Sequence, residues 1–281
     1  GCRWMSRPTT IEQLTDRWVN AGTMLCVGLD PDPDRLPAGY DPTPEGLFDF
    51  CVTIVDATAD LVCAFKPQIA YFAALGAETA LERLIDHVHR SHPGVPVILD
   101  AKRGDIGDTA RRYAVEAFER YGADAVTVNP YLGPESVEPF LDYRDRGVFV
   151  LCRTSNPDSA WLQNHPADDP VFLRVASAAS GWNAHGNVML VAGATYAEDL
   201  ARIRAAAPDL PLLVPGIGAQ GGDLEAVLAA GLDDRHRGLV INASRSVLYA
   251  PGEGDHADAS RRAAADLRDA IRRGVAALRD T

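Results

Sequence analysis

The sequence has no apolar run long enough to span a bilayer, and its first residues lack the apolar core of a secretory signal. Basic residues are scarce: 27 lysines and arginines stand against 39 acidic residues, which gives a formal net charge of −12 over 281 residues. Because polynucleotides and anionic membranes bind to basic surfaces, this balance argues against both as partners. We therefore expect a cytoplasmic protein that binds neither nucleic acid nor membrane.

Paired cysteines are also missing. The five cysteines are odd in number, and no two of them have the C-x-x-C spacing of a zinc or redox site. Three lie in apolar, strand-like runs, which predicts buried free thiols in a reducing compartment. None of the seven histidines ends an apolar run, so we predict no histidine-based metal or catalytic centre. His87 and His89, two residues apart, would lie on different faces of a helix.

Eight short apolar runs, rich in β-branched residues, alternate with amphipathic segments along the chain. The predicted strands are Met24–Asp30, Cys63–Gln68, Val95–Lys102, Asp124–Pro130, Gly147–Ser155, Asn187–Thr195, Leu210–Gly218 and Gly238–Ser246. Continuous apolar character is expected of strands that are buried on both faces. Eight strand–helix units in about 250 residues predict an α/β fold, a single (β/α)8 TIM barrel. Because periodicity does not reveal closure, an open doubly wound sheet is the alternative.

Helical periodicity fills the intervals between the strands. The amphipathic segments include Leu47–Leu61, Tyr71–Arg90, Ile106–Tyr121, Ala197–Ala207, Leu224–Ala230 and Asp258–Leu278. Thr10 is predicted to begin an extra N-terminal helix, with Gln13 completing a capping box. No linker composition divides the chain. We therefore expect one domain over residues 1–281, with an extension at 1–23 and the barrel at 24–281.

Reactive side chains of a TIM barrel follow the carboxyl ends of its strands, where the long polar loops predicted at 30–44 and 156–170 also lie. The third strand ends in the richest polar run. In it, Asp100 and Lys102 are two residues apart and should point to the same side, and Asp105 opens the next helix. For this run alone, the simpler interpretation is an ion pair at the rim with Asp105 as a helix N-cap.

Two neighbouring strands add charges to the same place. Lys66 ends the second predicted strand, and Asp30 ends the first. Each has an ordinary alternative, a rim lysine that extends to solvent and an aspartate that caps a turn. However, a cluster of two lysines and two carboxylates costs desolvation free energy unless the charges pair, and it perturbs their pKa values. We interpret the cluster as a catalytic site.

The loops after the last two strands have the composition of a phosphate site. Glycines let backbone N–H groups approach phosphate oxygens, and an arginine can bind them in a bidentate manner. The runs that carry these residues are Pro215-Gly216-Ile-Gly218-Ala-Gln220 after the seventh strand and Ser244-Arg245 after the eighth. The structural alternative is a tight turn with an arginine that covers the barrel rim. The glycine spacing also matches a dinucleotide fingerprint, but that motif belongs after the first strand of a βαβ unit.

These runs together resemble orotidine 5′-monophosphate decarboxylase, most closely its longer bacterial subgroup. The matching runs are Lys66-Pro-Gln, Asp100-Ala-Lys102-Arg-Gly-Asp105-Ile106-Gly-Asp-Thr109, Pro215-Gly-Ile-Gly-Ala-Gln220-Gly-Gly-Asp and Ser244-Arg245-Ser. The resemblance covers most of the barrel. It implies a homodimeric carboxy-lyase of pyrimidine biosynthesis that converts orotidine 5′-phosphate to UMP and CO₂ without a metal or cofactor. The chain departs from the commonest family form at Ser244, where glycine often precedes the arginine, and in a longer loop after Ser155.

The resemblance also implies residue roles. Lys102 would protonate C6 of the pyrimidine, and Asp100 would lie beside the departing carboxylate. Lys66 would complete the charged network and, with Asp30, bind the ribose hydroxyls. Three residues would reach into the neighbouring subunit's site: Asp105, Ile106 and Thr109.

Three further roles belong to the other side of the pocket. Ser155 would hydrogen-bond the pyrimidine edge, Gln220 would be part of a lid, and Arg245 with nearby backbone N–H groups would bind the phosphate. Three other classes of protein remain as alternatives. They are a related barrel that acts on a keto-sugar phosphate with Mg²⁺, a nicotinamide-dependent oxidoreductase, and a non-catalytic phosphate-binding barrel.

Overall fold

The computed structural model describes residues 7–193, 195–217, 223–252 and 254–280. Its sheet consists of β1 (Leu25–Leu29), β2 (Ala64–Pro67), β3 (Ile98–Arg103), β4 (Ala125–Val128), β5 (Gly147–Arg153), β6 (Val188–Ala192), β7 (Leu212–Val214) and β8 (Leu239–Ala243). Each strand coincides with one of the eight predicted runs, and most are shorter than predicted. Six of the strands are buried along their whole length, as strands covered on both faces must be, whereas β3 becomes partly exposed towards its carboxyl end.

The parallel sheet closes on itself. Its strands are hydrogen-bonded in the order β2-β1-β8-β7-β6-β5-β4-β3, so the first strand pairs with the last. Parallel bridges between Phe65 and Val97 and between Gln68 and Asp100 join β2 to β3. Closure excludes the open doubly wound sheet, and the predicted TIM barrel is confirmed.

The helices surround the barrel. They are α1 (Thr10–Val19), α2 (Pro44–Thr58), α3 (Ile69–Ala73), α4 (Glu78–Ser91), α5 (Gly107–Val115), α6 (Glu138–Leu141), α7 (Ala160–Gln163), α8 (Val171–Trp182), α9 (Ala197–Ala206), α10 (Leu224–Gly231), α11 (Arg245–Leu248) and α12 (His256–Arg279). A π-helical turn at Glu116–Arg120 continues α5. The loops predicted after β1 and β5 carry short 3₁₀ turns at Pro33–Arg35 and Pro157–Ser159.

Two sequence predictions about helices are corrected by the structure, beyond small shifts of the helix ends. The capping box of α1 consists of Thr9 and Glu12, one residue earlier than the predicted Thr10 and Gln13. The reason is tertiary: the Thr10 hydroxyl is buried and accepts a hydrogen bond from the backbone N–H of Gly147 (2.9 Å), so it is not available to cap the helix. The predicted helix at 71–90 is two helices, α3 and α4, separated by a turn in which Gly76 has φ +64°.

Helix α1 closes the end of the barrel where the strands begin. Leu14 is fully buried and belongs to the cluster that fills the barrel interior. The Trp18 indole N–H donates to the carbonyl of Leu239 (2.9 Å), and the Arg17 guanidinium donates to the carbonyl of Val62 (2.6 Å). Among the described residues, α1 thus covers the end of the barrel where the strands begin.

The described cysteines are free thiols, as predicted. Cys26, Cys51, Cys63 and Cys152 are buried, whereas Cys2 lies outside the described residues. Burial raises the pKa of the Cys26 thiol to about 12, so this thiol is protonated at neutral pH. None of the described helices combines the length and apolar character needed to cross a bilayer.

Candidate active site

Three charged side chains meet at the carboxyl ends of β2 and β3. The Lys66 ammonium lies 3.0 Å from Asp100 Oδ2, and the Lys102 ammonium lies 2.7 Å from Asp100 Oδ1. Lys66 and Asp100 are buried, but 46% of the Lys102 side chain is exposed. These are the only two lysines in the sequence, since the other 25 basic residues are arginines. The cluster predicted from the strand ends therefore forms, with one lysine that a ligand can reach.

The backbone at Lys102 is not that of a regular strand. Its φ is +47°, and the register between β3 and β4 shifts between Leu99 and Arg103. A non-glycine residue in this region is strained by about 1–3 kcal/mol and persists only where its surroundings hold it. The regular alternation of side chains along a strand, from which Asp100 and Lys102 were predicted to point to the same side, is therefore interrupted at Lys102. The two side chains nevertheless contact each other.

Thr127 of β4, which is not among the predicted site residues, holds this conformation. Its hydroxyl accepts hydrogen bonds from the backbone N–H groups of Ala101 (3.0 Å) and Lys102 (2.9 Å) and donates to Asp100 Oδ1 (2.9 Å). Thr127 is buried in the run Ala-Val-Thr-Val. The only sequence signal was a hydroxyl side chain in an otherwise apolar strand next to the charged run.

Opposite charges keep the buried pair ionised. Burial by itself would raise the pKa of Asp100, but Lys66 and Lys102 outweigh it and hold that pKa far below its usual value. Burial would likewise lower the pKa of Lys66, but the carboxylates of Asp100 and Asp30 outweigh it and raise that pKa. The site thus contains a fixed array of charges at neutral pH.

Asp30, just beyond the end of β1, faces the same cluster. Its charge acts on Lys66, and its Oδ1 atom is buried without a hydrogen-bond partner in the described structure. A buried acceptor without a partner costs about 1–3 kcal/mol, so such an atom indicates a place where a ligand donor would bind. The structure thus brings together Asp30, Lys66, Asp100 and Lys102, as predicted.

Asp105 does not join the cluster of its own chain. Its Oδ1 accepts a hydrogen bond from the backbone N–H of Ile106 (2.8 Å), and within the described ranges it forms no salt bridge. Ile106, not Asp105, is the N-cap of α5, so the simpler N-cap interpretation is wrong. Ile106 is 49% exposed and Thr109 is exposed. This segment points out of the single subunit.

A buried arginine organises the loop after β5. Arg153 is 2% exposed and forms a salt bridge with Asp199 (3.0 Å). Its guanidinium also donates to Ser159 Oγ (2.5 Å) and Gln163 Oε1 (3.3 Å). Gln163 Oε1 in turn accepts the backbone N–H of Thr154 (2.8 Å). This network fixes the segment that leads into Ser155.

The predicted phosphate loops lie at the same end of the barrel. Arg245 begins α11, is exposed, and donates to no acceptor in the described parts of the chain. Gly218 and Gln220 lie outside the described residues, so their predicted roles stay predictions. Ser244 contacts β1: its hydroxyl accepts a hydrogen bond from Asn242 (3.2 Å) and lies 2.0 Å from where a Cβ atom on Gly28 would be. A side chain at position 28 would therefore displace the Ser244 hydroxyl from its present position.

A cavity of about 340 Å³ opens at the centre of these elements. Its lining includes Lys66, Asp100, Lys102, Thr127, Leu151, Thr154, Ser155, Asn156, Val191, Leu213 and Pro215. The charged cluster forms one wall, and apolar side chains from the barrel interior form the floor. Such a pocket suits a flat, polar molecule that presents its reacting atom to Lys102.

Fold and pocket together define a (β/α)8-barrel protein whose site is built on a lysine–aspartate–lysine cluster. The family model described as orotidine 5′-phosphate decarboxylase / HUMPS family matches residues 23–262. Orotidine 5′-phosphate decarboxylase of Aromatoleum aromaticum is 60% identical over 259 residues, which cover 91% of this chain and 96% of the relative. That of Dechloromonas aromatica is 57% identical over 265 residues, 94% of this chain and 98% of the relative.

A solved structure agrees with these sequence matches. The structure of Leishmania donovani OMP decarboxylase superposes with a TM-score of 0.83 at 40% sequence identity, covering 95% of this chain and 98% of that chain. The chain belongs to the orotidine 5′-phosphate decarboxylase / HUMPS family, and the predicted resemblance is confirmed.

Proposed function

We propose that this chain is a carboxy-lyase that converts orotidine 5′-phosphate to UMP and CO₂ without a metal or cofactor. The observation that carries the proposal is the Lys66–Asp100–Lys102 cluster at the wall of the pocket. The family name covers two groups of proteins, but the relatives at 57–60% identity are orotidine 5′-phosphate decarboxylases. This favours the decarboxylase over the related keto-sugar phosphate barrels.

The chemistry follows from the charges. When the bond between C6 and the carboxylate breaks, CO₂ leaves and the electron pair stays on C6 in an orbital that the ring delocalises poorly. Enzymes lower barriers by about 8–23 kcal/mol, and this reaction needs the upper part of that range. The Lys102 ammonium stabilises the growing anion and then transfers its proton to C6. Solvent can reprotonate Lys102 because it is half exposed.

Asp100 places the substrate carboxylate next to a like charge and orients Lys102. Its pKa is held low, so it stays an anion when the substrate binds. The carboxylate of the substrate loses its charge as CO₂ forms, which removes the repulsion in the transition state. Lys66 and Asp30 bind the ribose hydroxyls, and the unpartnered Oδ1 of Asp30 is suited to accept one of them.

The remaining contacts hold the two ends of the nucleotide. Ser155, which lines the cavity, hydrogen-bonds the pyrimidine edge. Arg245 binds the phosphate together with the backbone around Pro215 and Gly216, with Ser244 beside it, because its guanidinium has no described acceptor to satisfy it. Gly218 belongs to the same loop, and Gln220 closes over the ligand as part of a lid. Phosphate binding then contributes free energy to closure and lowers the barrier from a distance.

We further propose a cytoplasmic homodimer in which each subunit completes its neighbour's site. Asp105, Ile106 and Thr109 reach across, and Asp105 extends the array to Lys–Asp–Lys–Asp. Support comes from the lack of a cation for Asp105 among the described residues of its own chain and from exposed apolar side chains at Ile106, Tyr131 and Leu132. Residues 1–281 would form one domain, in which 24–281 are the barrel.

The activity is tested by the loss of orotidylate absorbance with chelator-treated protein in metal-free buffer. Full turnover without added metal is expected. Activity that disappears with chelator and returns with Mg²⁺ would favour the keto-sugar phosphate alternative, and binding of UMP without turnover would favour the non-catalytic barrel.

The shared site is tested by co-expressing Lys102→Ala and Asp105→Ala chains. Random pairing makes half of the dimers mixed, and each mixed dimer has one intact site of two, so about a quarter of the native activity should return. Separately purified variants are the control. Recovery no greater than their sum would mean that Asp105 serves its own chain.

A further inference from the structure

Two imidazoles and one carboxylate converge on the outside of the barrel. Asp56 Oδ1 lies 2.7 Å from His87 Nε2 and 2.6 Å from His92 Nε2. The three side chains offer one ligand atom each, and these atoms all lie within 4.8 Å of one another. Asp56 is near the end of α2, and the histidines are at the end of α4. Both helices end where the next strand begins, so the cluster lies at the face opposite the candidate active site.

The end of α4 brings the two histidines together. In a continuous helix, neighbours on one face are three or four residues apart, and residues five apart diverge. Here α4 ends at Ser91, and His92 leaves it with φ −132° and ψ 61°. Its ring returns to the side of His87, with ring centroids 6.0 Å apart at an angle of 71°. The sequence spacing alone does not indicate this pair, because His87 and His92 approach each other only where the helix ends.

We propose that Asp56, His87 and His92 bind a divalent transition-metal ion of the Zn²⁺ type. Two imidazole nitrogens and one carboxylate oxygen, with water at the fourth position, are the donor set of tetrahedral zinc sites. Ca²⁺ and Mg²⁺ prefer oxygen ligands and fit this set poorly. The side chains are one quarter to one half exposed, so an ion in solution reaches them.

Side-chain movement brings the three ligand atoms to the separations that the ion requires. Bonds of about 2.0–2.1 Å in a tetrahedral site separate ligand atoms by about 3.3 Å, so each Nε2 must move about 0.7 Å away from the carboxylate oxygen. The two Nε2 atoms, which lie within 4.8 Å of each other, must take up the same separation. The hydroxyl of Ser91 lies 3.5 Å from His87 Nδ1, where a partner orients a ligating imidazole. The ion would replace two hydrogen bonds that join α2 to α4 with coordination bonds.

The bound ion would join α2 to α4 and stabilise the folded chain, and it would take no part in turnover. An ion that binds only the folded chain stabilises it in proportion to ln(1 + [ion]/Kd), and at 100-fold excess over Kd we expect the Tm to rise by about 5 °C. The rise should appear with Zn²⁺ and Ni²⁺ and should be absent with Mg²⁺ or Ca²⁺.

The test uses the full chain without a histidine tag, after chelation, in a thermal melt with increasing ZnCl₂. The native chain and the control His185→Ala, which removes an exposed histidine elsewhere, should show the rise. His87→Ala and His92→Ala should lose it, and Asp56→Asn should weaken it. Equilibrium dialysis should find one Zn²⁺ more per chain in the control than in the double variant His87→Ala/His92→Ala. Equal shifts in the control and the histidine variants, or no shift in the native chain, would overturn the proposal.

Discussion

The two ends of the barrel treat charged groups differently. Where the strands begin, charged groups have fixed protein hydrogen-bond partners: the Arg17 guanidinium donates to the Val62 and Ala59 carbonyls, and Asp124 accepts from His89 and from the backbone N–H of Val97. Where the strands finish, Asp30 has an unpartnered buried oxygen. In the described part of the chain, Arg245 and Asp105 also lack an opposite charge.

The difference separates stability from function. Groups that are paired in the free protein contribute to folding, and a ligand binds them only by competing with those contacts. Groups that stay unpaired cost folding free energy and become available to bind a substrate. Substitutions at the starting end should therefore change the free energy of unfolding, and substitutions at the finishing end should change turnover.

The largest effect is expected at Lys102. Lys102→Ala removes both the proton donor and the cation beside C6, and kcat should fall by about 10³-fold or more. Because the side chain is half exposed, the Tm should stay within a few degrees of the native value. Lys102→Arg is the matched variant, since it keeps the charge but does not deprotonate, and it should also be inactive. A fall in kcat below tenfold would remove Lys102 from the reaction.

Leu14→Ala probes the opposite end. The side chain is fully buried in the cluster inside the barrel, so we expect a loss of about 2–5 kcal/mol in the free energy of unfolding. The kcat at 25 °C should be unchanged in the fraction that stays folded. Urea unfolding and initial rates on the same preparation measure both. The exposed Val19→Ala on the same helix serves as a control. A large drop in kcat would contradict the separation of the two ends.

Thr127→Val is expected to affect both turnover and stability. It removes the hydroxyl that holds Asp100 and the strained backbone of Lys102 while keeping the shape of the side chain. We expect kcat to fall about 10-fold, with little change in the KM for orotidylate, and a destabilisation of about 1–3 kcal/mol. Thr127→Ser should restore most of the rate. A native rate in Thr127→Val, together with a loss of rate in Thr127→Ser, would show that the volume of the side chain matters and not its hydroxyl.

The smallest expected effect is that of pH. The pKa of Asp100 is lowered, so its stabilising contribution is present above its unfolded value near 3.9 and is lost as the pH falls through the folded pKa. The pKa of Lys66 is raised, so its contribution is present below its unfolded value near 10.4 and is lost as the pH rises through the folded pKa. The difference in unfolding free energy between the native chain and Asp100→Asn should therefore stay constant between pH 5.5 and 9. A slope in this range, measured by urea unfolding, would mean that the pair titrates.

The barrel could be predicted because each strand is buried on both faces, and such a strand appears in the sequence as a short apolar run. The same logic located Lys66, Asp100 and Lys102, since they interrupt or end such runs. It failed where a tertiary contact decides a local choice. Thr10 is buried against Gly147 and leaves the helix cap to Thr9, which no pattern within the helix reveals.

Thr127 shows the same limit within the candidate site. A threonine in a strand is ordinary, and only the fold places its hydroxyl between two backbone N–H groups and a carboxylate on the neighbouring strand. Asp105 was located by its motif, but its assignment to the neighbouring subunit rests on the family resemblance, because a single sequence does not contain the second chain. Lys102 illustrates the reverse: the side-chain contact was predicted correctly, although its backbone is not extended.

Because both lysines lie in the catalytic cluster, the only primary amines among the side chains of the sequence are in the pocket. Reagents that acylate primary amines find no target on the arginine-rich exterior, so labelling beyond the amino terminus reports on the pocket alone. Lys66 is buried and paired, which leaves the half-exposed Lys102 as the reactive group. Mass spectrometry after brief acylation would then measure directly what fraction of pockets a nucleotide occupies.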